Sequence, residues 1–408
     1  MNFKSKNISK RKFFHKIELN TNGQAVIGAL LIFALSVAFL LSSLPMGKEI
    51  AVAEEISVGG KACYLVDSAT GTVMYSKNCD KRLPIASMVK IMTSLIAFEA
   101  VDRGELSLDE MIVVSQESAS MGGSQVFLDA GKSYKVGELL KSIIVASAND
   151  SCVAIAERLS GSVAGFVKDM NIRAKELGMD NTNFVNCTGL PAPESYSSAK
   201  DVSIMFRELI KHPVYFDYAG VWLEDFVHPD GRTTCMTNTN KLVKFYEGCD
   251  GGKTGFTNEA KFCLSATAER NGLRIVAVVI GADSSKDRFG AVSNLFGYAF
   301  SNYSSKVIQS KDDLIDNSIR VVGGKEKSIS IGLKEDVKAL TKKGDDGEYK
   351  VHYQLPERVK APLKVGDVVG KALLTRNGEV VGEYNVVCKQ DIEKGNFFDL
   401  LKSLCSNW

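Results

Sequence analysis

Apolar and polar positions along the chain change texture four times. An uncharged apolar run covers residues 25–44, long enough to span a bilayer. It follows a basic head of Lys4, Lys6, Lys10, Arg11, Lys12 and Lys16, and precedes Ala51-Val52-Ala53, a small-x-small pattern. Together these predict a signal peptide or an N-terminal membrane anchor over 1–53, with the rest outside the cytoplasm. Residues 62–66 and 72–75 then alternate around Asp67-Ser68-Ala69-Thr70-Gly71, which predicts two strands and a turn. Pro84 opens a helical pattern over 87–101, with Met88, Met92, Leu95 and Ile96 at helical spacing and Gly104 after it. Apolar helical stretches recur at 136–146, 152–159, 163–177 and 199–210.

From Gly252 the period shortens. Segments 253–257, 262–268 and 274–280 read as strands, with Arg270-Asn271-Gly272 as the turn between the last two. Residues 289–300 read as a closing helix. Strands at both ends around a helical middle predict one α+β domain over 54–303, its sheet built from the two terminal parts and flanked by helices. Short strands at 319–322, 328–331, 349–354 and 380–387, with a Gly-containing turn at 365–370, predict a small all-β domain over 304–390. In 391–408, Phe397, Leu401, Leu404 and Trp408 share one stripe, which predicts an amphipathic helix suited to a membrane interface.

Composition narrows the function. The net charge is +2, but residues 1–53 hold seven Lys/Arg and two Asp/Glu. The remainder has 43 basic and 46 acidic residues, a balance of −3 that argues against nucleic-acid binding. Nine cysteines leave at least one unpaired thiol in a monomer, and none forms Cys-x-x-Cys, so no zinc site is expected. Cys63 and Cys79 flank the predicted hairpin and could pair, but scattered free thiols acting as small core residues are the favoured reading.

Three short motifs carry chemistry. Ser87-Met88-Val89-Lys90 puts a hydroxyl and an amine one helical turn apart, so a lysine with a lowered pKa can serve as base to the serine. The same spacing recurs at Ser9–Lys12 and Ser197–Lys200, so it carries little alone. Ser147-Ala148-Asn149 offers a second hydroxyl and an amide; read alone it is a turn or a cap. Lys253-Thr254-Gly255 occurs once, on a predicted strand, with a cation, a hydroxyl and a glycine that lets another backbone approach.

In this order, on helix start, loop and strand, the three resemble the signature of the penicillin-binding and serine β-lactamase group. With Leu83-Pro84-Ile85-Ala86 before the serine, Asp150 after the second motif, Thr239-Asn240-Lys241-Leu242, and Asp250-Gly251-Gly252 and Phe256-Thr257 around the third, the chain looks like a low-molecular-mass penicillin-binding protein of the D-alanyl-D-alanine carboxypeptidase type. The resemblance implies a β-lactamase/transpeptidase-like fold. It implies that Ser87 attacks the carbonyl between two D-alanines of a peptidoglycan stem peptide and that Lys90 takes its proton. It further implies that Ser147 passes a proton to the leaving D-alanine with Asn149 orienting the site, that Lys253 and Thr254 hold the substrate carboxylate while Gly255 lets the substrate backbone approach, and that the N–H groups of Ser87 and Phe256 form an oxyanion hole. No metal or organic cofactor is implied. β-Lactams become covalent inhibitors, and the terminal helix a contact with the outer face of the cytoplasmic membrane. A D,D-endopeptidase shares the motifs. So does a class A β-lactamase, but no Glu-x-x-x-Asn lies between Ser151 and Gly189. A non-catalytic wall-binding protein is disfavoured because all three motifs are intact.

Overall fold

The computed structural model describes residues 56, 58–316, 319–345 and 347–396. The predicted leader over 1–53 lies outside them. Among the described residues no helix is long and apolar enough to cross a membrane.

The catalytic part is built on a five-stranded antiparallel sheet. Its strands are β1 (Ala62–Asp67), β2 (Val73–Lys77), β3 (Cys249–Thr257), β4 (Lys261–Arg270) and β5 (Leu273–Ala282), in the spatial order β2-β1-β5-β4-β3. The first and last strands of the catalytic part thus pair side by side, Cys63 against Val279 and Leu65 against Ala277. β1 and β5 are apolar on both faces because the sheet is covered twice. Alternate residues divide between two cores: Tyr64, Val66, Val276, Val278 and Ile280 enter one, Cys63, Leu65, Ile275, Ala277 and Val279 the other.

The first core holds the helical middle. Helices α1 (Lys90–Asp102), α2 (Val136–Val145), α3 (Asn149–Ser160), α4 (Val163–Glu176) and α5 (Ala199–Leu209) pack there. α1 is its centre, with Ile91, Met92, Leu95 and Phe98 fully buried. The second core lies under α6 (Ser285–Asn302), which presents Val292, Leu295, Phe296 and Ala299. Ser284 caps α6 by accepting from the Asp287 N–H.

The structure differs from the sequence reading in several places. Ser87 lies on a 3-10 turn, Ala86–Val89, and the α-helix proper begins at Lys90. The pattern alone could not show this, because Ala86 takes φ +48, a left-handed conformation that a non-glycine residue rarely adopts. Two strand pairs were unforeseen: Met111–Val113 with Ser133–Lys135, and Leu223–Val227 with Thr233–Thr237. Cys63 and Cys79 do not bridge. The Cys63 thiol turns to the Gly59 carbonyl and that of Cys79 to the Asp80 carboxylate, and all eight described cysteines are free.

A β domain follows α6 directly, from a strand over Tyr303–Gln309. Three of the four expected strands exist, the one expected over 328–331 is broken at Ser330 into Ser328–Ile329 and Ile331–Leu333 in different sheets, and the fold also needs strands over Val337–Lys342, Arg358–Lys360 and Val368–Arg376. The last of these mixes lysine and arginine into its alternation and so read as a turn region. Its core of Ile319, Ile331, Leu333, Leu374, Val386 and Ile392 is separate from the other two. The predicted terminal helix is not helical at its start: Ile392 bridges Leu363 and Lys394 bridges Gly324, so this stretch completes the β domain. The rest of that segment lies outside the described residues. The whole is an α+β protein.

Candidate active site

The site forms where three stretches of backbone press together. The 3-10 turn holds Ser87, half-buried, between the fully buried Ala86 and Met88. β3 crosses it at Gly255. A Cβ on Gly255 would lie 2.5 Å from the Ile85 carbonyl oxygen and 3.3 Å from the Ser87 nitrogen. The loop Asn186-Cys187-Thr188-Gly189 closes the other side. Gly189 has φ +79, and a Cβ there would lie 2.1 Å from the Ala86 carbonyl oxygen. Neither approach accommodates any other residue.

Lys90 follows Ser87 by one turn and is 1% exposed. Its Nζ lies 3.1 Å from Ser87 Oγ and donates to the Thr188 carbonyl at 2.5 Å. That carbonyl is itself fixed, because Asn186 Oδ1 accepts from the N–H groups of Thr188 and Gly189. Thr93 Oγ1 ties the same loop to α1 by donating to the Cys187 carbonyl at 2.7 Å. Burial pushes the Lys90 ammonium below the ordinary lysine value, opposed by nearby Cys152, Cys187 and Asp150.

Ser147 precedes α3 in a left-handed conformation, φ +64. It is 4% exposed, and its hydroxyl has no hydrogen-bond partner among the described residues. A buried hydroxyl without a partner costs free energy unless something else meets it. Asn149 opens α3. Its N–H donates to the Ser124 carbonyl and its Nδ2 to the Gly122 carbonyl. Asp150 is buried and accepts from the N–H groups of Val126, Leu128 and Ser151. The second motif is therefore anchored to a loop that walls the site.

Lys253 and Thr254 are both buried on β3. Lys90 and Lys253 line the same small internal space of about 10 Å³, with Ser94, Tyr215 and Gly252. The Lys253 ammonium lies well below the ordinary value, first through burial, then through repulsion from Lys90 and Arg288. Tyr215 and Asn240 hold this part of the strand: the Tyr215 hydroxyl accepts from the Gly252 N–H, and Asn240 Nδ2 donates to the Gly251 carbonyl. Phe256 is exposed, its ring on Phe262 at 4.4 Å between centroids. Of the eight residues singled out from sequence, Ser87 lies on the turn, Lys90 opens α1, Ser147 precedes and Asn149 opens α3, and Lys253, Thr254, Gly255 and Phe256 lie on β3. Among the described residues no cluster of metal-ligating side chains occurs.

Two contributors were missed. The Asn186–Gly189 loop carries no distinctive pattern. Arg288 had a readable signal: with Ala291, Val292 and Leu295 it falls on the apolar stripe of α6, where a charge is unexpected. Its guanidinium donates to the carbonyls of Gly255 and Cys263 and lies against Phe289. Burial lowers its pKa to about 10. It adds a third positive group behind β3.

Comparison with known proteins agrees with this geometry. Residues 48–284 match the family described as D-alanyl-D-alanine carboxypeptidase, and residues 303–394 match the penicillin-binding protein 5 C-terminal domain. This chain belongs to the D-alanyl-D-alanine carboxypeptidase family. It is 40% identical to D-alanyl-D-alanine carboxypeptidase DacF of Bacillus subtilis, over 87% of this chain and 91% of that one. It is 33% identical to DacC of Escherichia coli, over 85% and 87%. Among solved structures it resembles penicillin-binding protein 5 of Haemophilus influenzae, with TM-score 0.64, 29% identity, and 83% and 99% covered. It also resembles penicillin-binding protein D2 of Listeria monocytogenes in its ampicillin-bound form, with TM-score 0.54, 33% identity, and 60% and 99% covered. The carboxypeptidase fold thus extends through both described domains.

The packing at Ser87 yields a direct prediction. Gly255→Ala and Gly189→Ala will each slow acylation by penicillin by about a hundredfold, because displacing a reacting group by about 1 Å costs that much. Far-ultraviolet circular dichroism should remain that of the parent. Folded variants that acylate at the parent rate would show that the close approaches are not required.

Proposed function

We propose that this carboxypeptidase removes the terminal D-alanine of peptidoglycan stem peptides through an acyl-enzyme on Ser87. The observation that carries the assignment is the 3.1 Å contact between Lys90 Nζ and Ser87 Oγ, made by a lysine whose burial favours the neutral amine. In the neutral form Lys90 donates to the Thr188 carbonyl and keeps its lone pair for the Ser87 hydroxyl proton. Ser87 Oγ then bonds to the carbonyl carbon between the two D-alanines. The negative charge passes to the carbonyl oxygen, which the N–H groups of Ser87 and Phe256 receive.

Collapse of this intermediate breaks the carbon–nitrogen bond. Ser147, whose buried hydroxyl has no partner among the described residues, hands a proton to the departing D-alanine nitrogen and recovers one through Lys90. Asn149 orients the peptide. Lys253 and Thr254 bind the substrate carboxylate from the middle of β3, with Gly255 leaving room for its backbone. Burial and then the Lys90 ammonium hold Lys253 below its ordinary value, and a bound carboxylate would oppose that shift. Water, activated by the neutral Lys90, releases the shortened peptide. β-Lactams place their strained amide on the same groups and leave a stable ester on Ser87. A D-alanyl-D-alanine endopeptidase of Pseudomonas aeruginosa is 30% identical, over 65% of this chain, and is the second reading.

The basic head and apolar run before Ala53 support work outside the cytoplasm, at the outer face of the cytoplasmic membrane. The stripe of Phe397, Leu401, Leu404 and Trp408 supports contact with that surface. In a chain freed of residues 1–53, deletion of 397–408 should move the protein from the membrane fraction to the supernatant. An unchanged distribution would refute the surface contact.

Release of D-alanine from a peptide ending in D-Ala-D-Ala tests the mechanism. Ser87→Ala should lower it at least about a thousandfold. Because only neutral Lys90 accepts a proton, kcat/KM should fall as pH falls through a pKa below the 10.5 of ordinary lysine. An acid limb at or above that value, or persistent release in Ser87→Ala, would overturn the assignment.

A further inference from the structure

The β domain carries a charged face that takes no part in the acyl transfer. Ile319–Val322 lies between Ser328–Ile329 and Arg358–Lys360 in a three-stranded sheet. Ile319, Val321 and Ile329 enter the domain core, which sends the alternate residues outward. On that outer face Arg320 stands beside Arg358, and Val322 beside Lys360, in register across parallel strands. All four are exposed. Among the described residues neither arginine nor Lys360 forms an ion pair. Glu326 and Glu357 lie close by in sequence but pair with none of them, and Glu393 is taken by Lys325. Like charges side by side on adjacent strands are destabilising unless an opposite charge meets them.

The chain leaves the domain beside this face. Ile392 bridges Leu363, Lys394 bridges Gly324, and the Gly395 N–H donates to the Gly323 carbonyl. The outgoing stretch therefore passes between the segments that carry Val322 and Val365, both exposed. Residues 397–408, with Phe397, Leu401, Leu404 and Trp408, follow in the chain. We infer that the face bearing Arg320, Arg358 and Lys360 rests on the headgroups of an anionic phospholipid surface, with Val322 and Val365 at the boundary of the acyl region. Guanidinium groups donate paired N–H bonds to phosphate oxygens, and each basic side chain near such a surface adds to the attraction. The inference rests in part on the surface contact of the tail proposed above and goes beyond it. A tail alone leaves the domain free to swing, whereas tail and face together fix its tilt on the membrane.

The test uses the chain from residue 54 onward, which holds every described residue. It is sedimented with vesicles of phosphatidylcholine alone or mixed equally with phosphatidylglycerol. The parent should prefer the mixed vesicles by about a hundredfold, about fivefold for each of the three basic groups, and higher salt should shrink the preference. Replacing all three together, as Arg320→Gln, Arg358→Gln and Lys360→Gln, should remove the preference and leave binding to neutral vesicles and acylation by penicillin at parent levels. Deletion of 397–408 should weaken binding to both vesicles and keep their ratio. Equal parent binding to the two vesicles would overturn the inference. A preference that survives the triple substitution but vanishes on the deletion would belong to the tail; it would overturn the face and leave the tail contact standing. If the deletion left binding to neutral vesicles unchanged, the tail contact would fail, while a preference lost in the triple variant would still support the face. Loss of binding to soluble polyphosphate in the triple variant, with no difference between the vesicles, would assign the face to a soluble polyanion and overturn the inference.

Discussion

The site depends on how closely three pieces of backbone approach around Ser87. Gly255 on β3 and Gly189 on its loop each lie where a Cβ would collide with backbone of the nucleophile turn. This close approach lets one strand edge, one turn and one loop surround a single carbonyl group. It requires a rigid frame, and β1 and β5, buried on both faces, provide it. It also requires strain at Ala86 and Ser147, two non-glycine residues with positive φ. Such conformations persist only where the surrounding structure fixes them. Here the α1–α3 core and the Asp150 contacts to Val126 and Leu128 do so.

Electrostatics builds on that packing. Two buried lysines share one internal space, and an arginine lies behind them. Burial disfavours the charged form of both lysines, and Lys90 and Arg288 lower Lys253 further. In the mechanism proposed above, this leaves Lys90 able to act as a base and gives Lys253 an attraction for a substrate carboxylate. Interacting groups of this kind titrate as a set.

Much of this was legible in the residues. Ser87, Lys90, Ser147, Asn149, Lys253 and Thr254 are spaced by chemistry, and the motif order reveals them without coordinates. The sheet was legible because 62–66 and 274–280 alternate or run apolar as a twice-covered sheet demands. The 3-10 turn was not, since alanine gives no sign of a left-handed conformation. The Thr188 carbonyl was not, because any residue can supply one. Arg288 was visible only as a charge on an apolar stripe. In the β domain, strand Val368–Arg376 hid behind lysine and arginine in an alternating pattern. The stretch after Asp391 resembled a helix start until its bridges to Leu363 and Gly324 placed it in the domain.

The most direct test is to locate the covalent bond. The full chain is incubated with penicillin, digested and mapped by mass spectrometry. One adduct per chain, on the peptide containing Ser87, is the expected result. An adduct on Ser147, or acylation spread over several serines, would contradict a single nucleophile set by the closely packed turn.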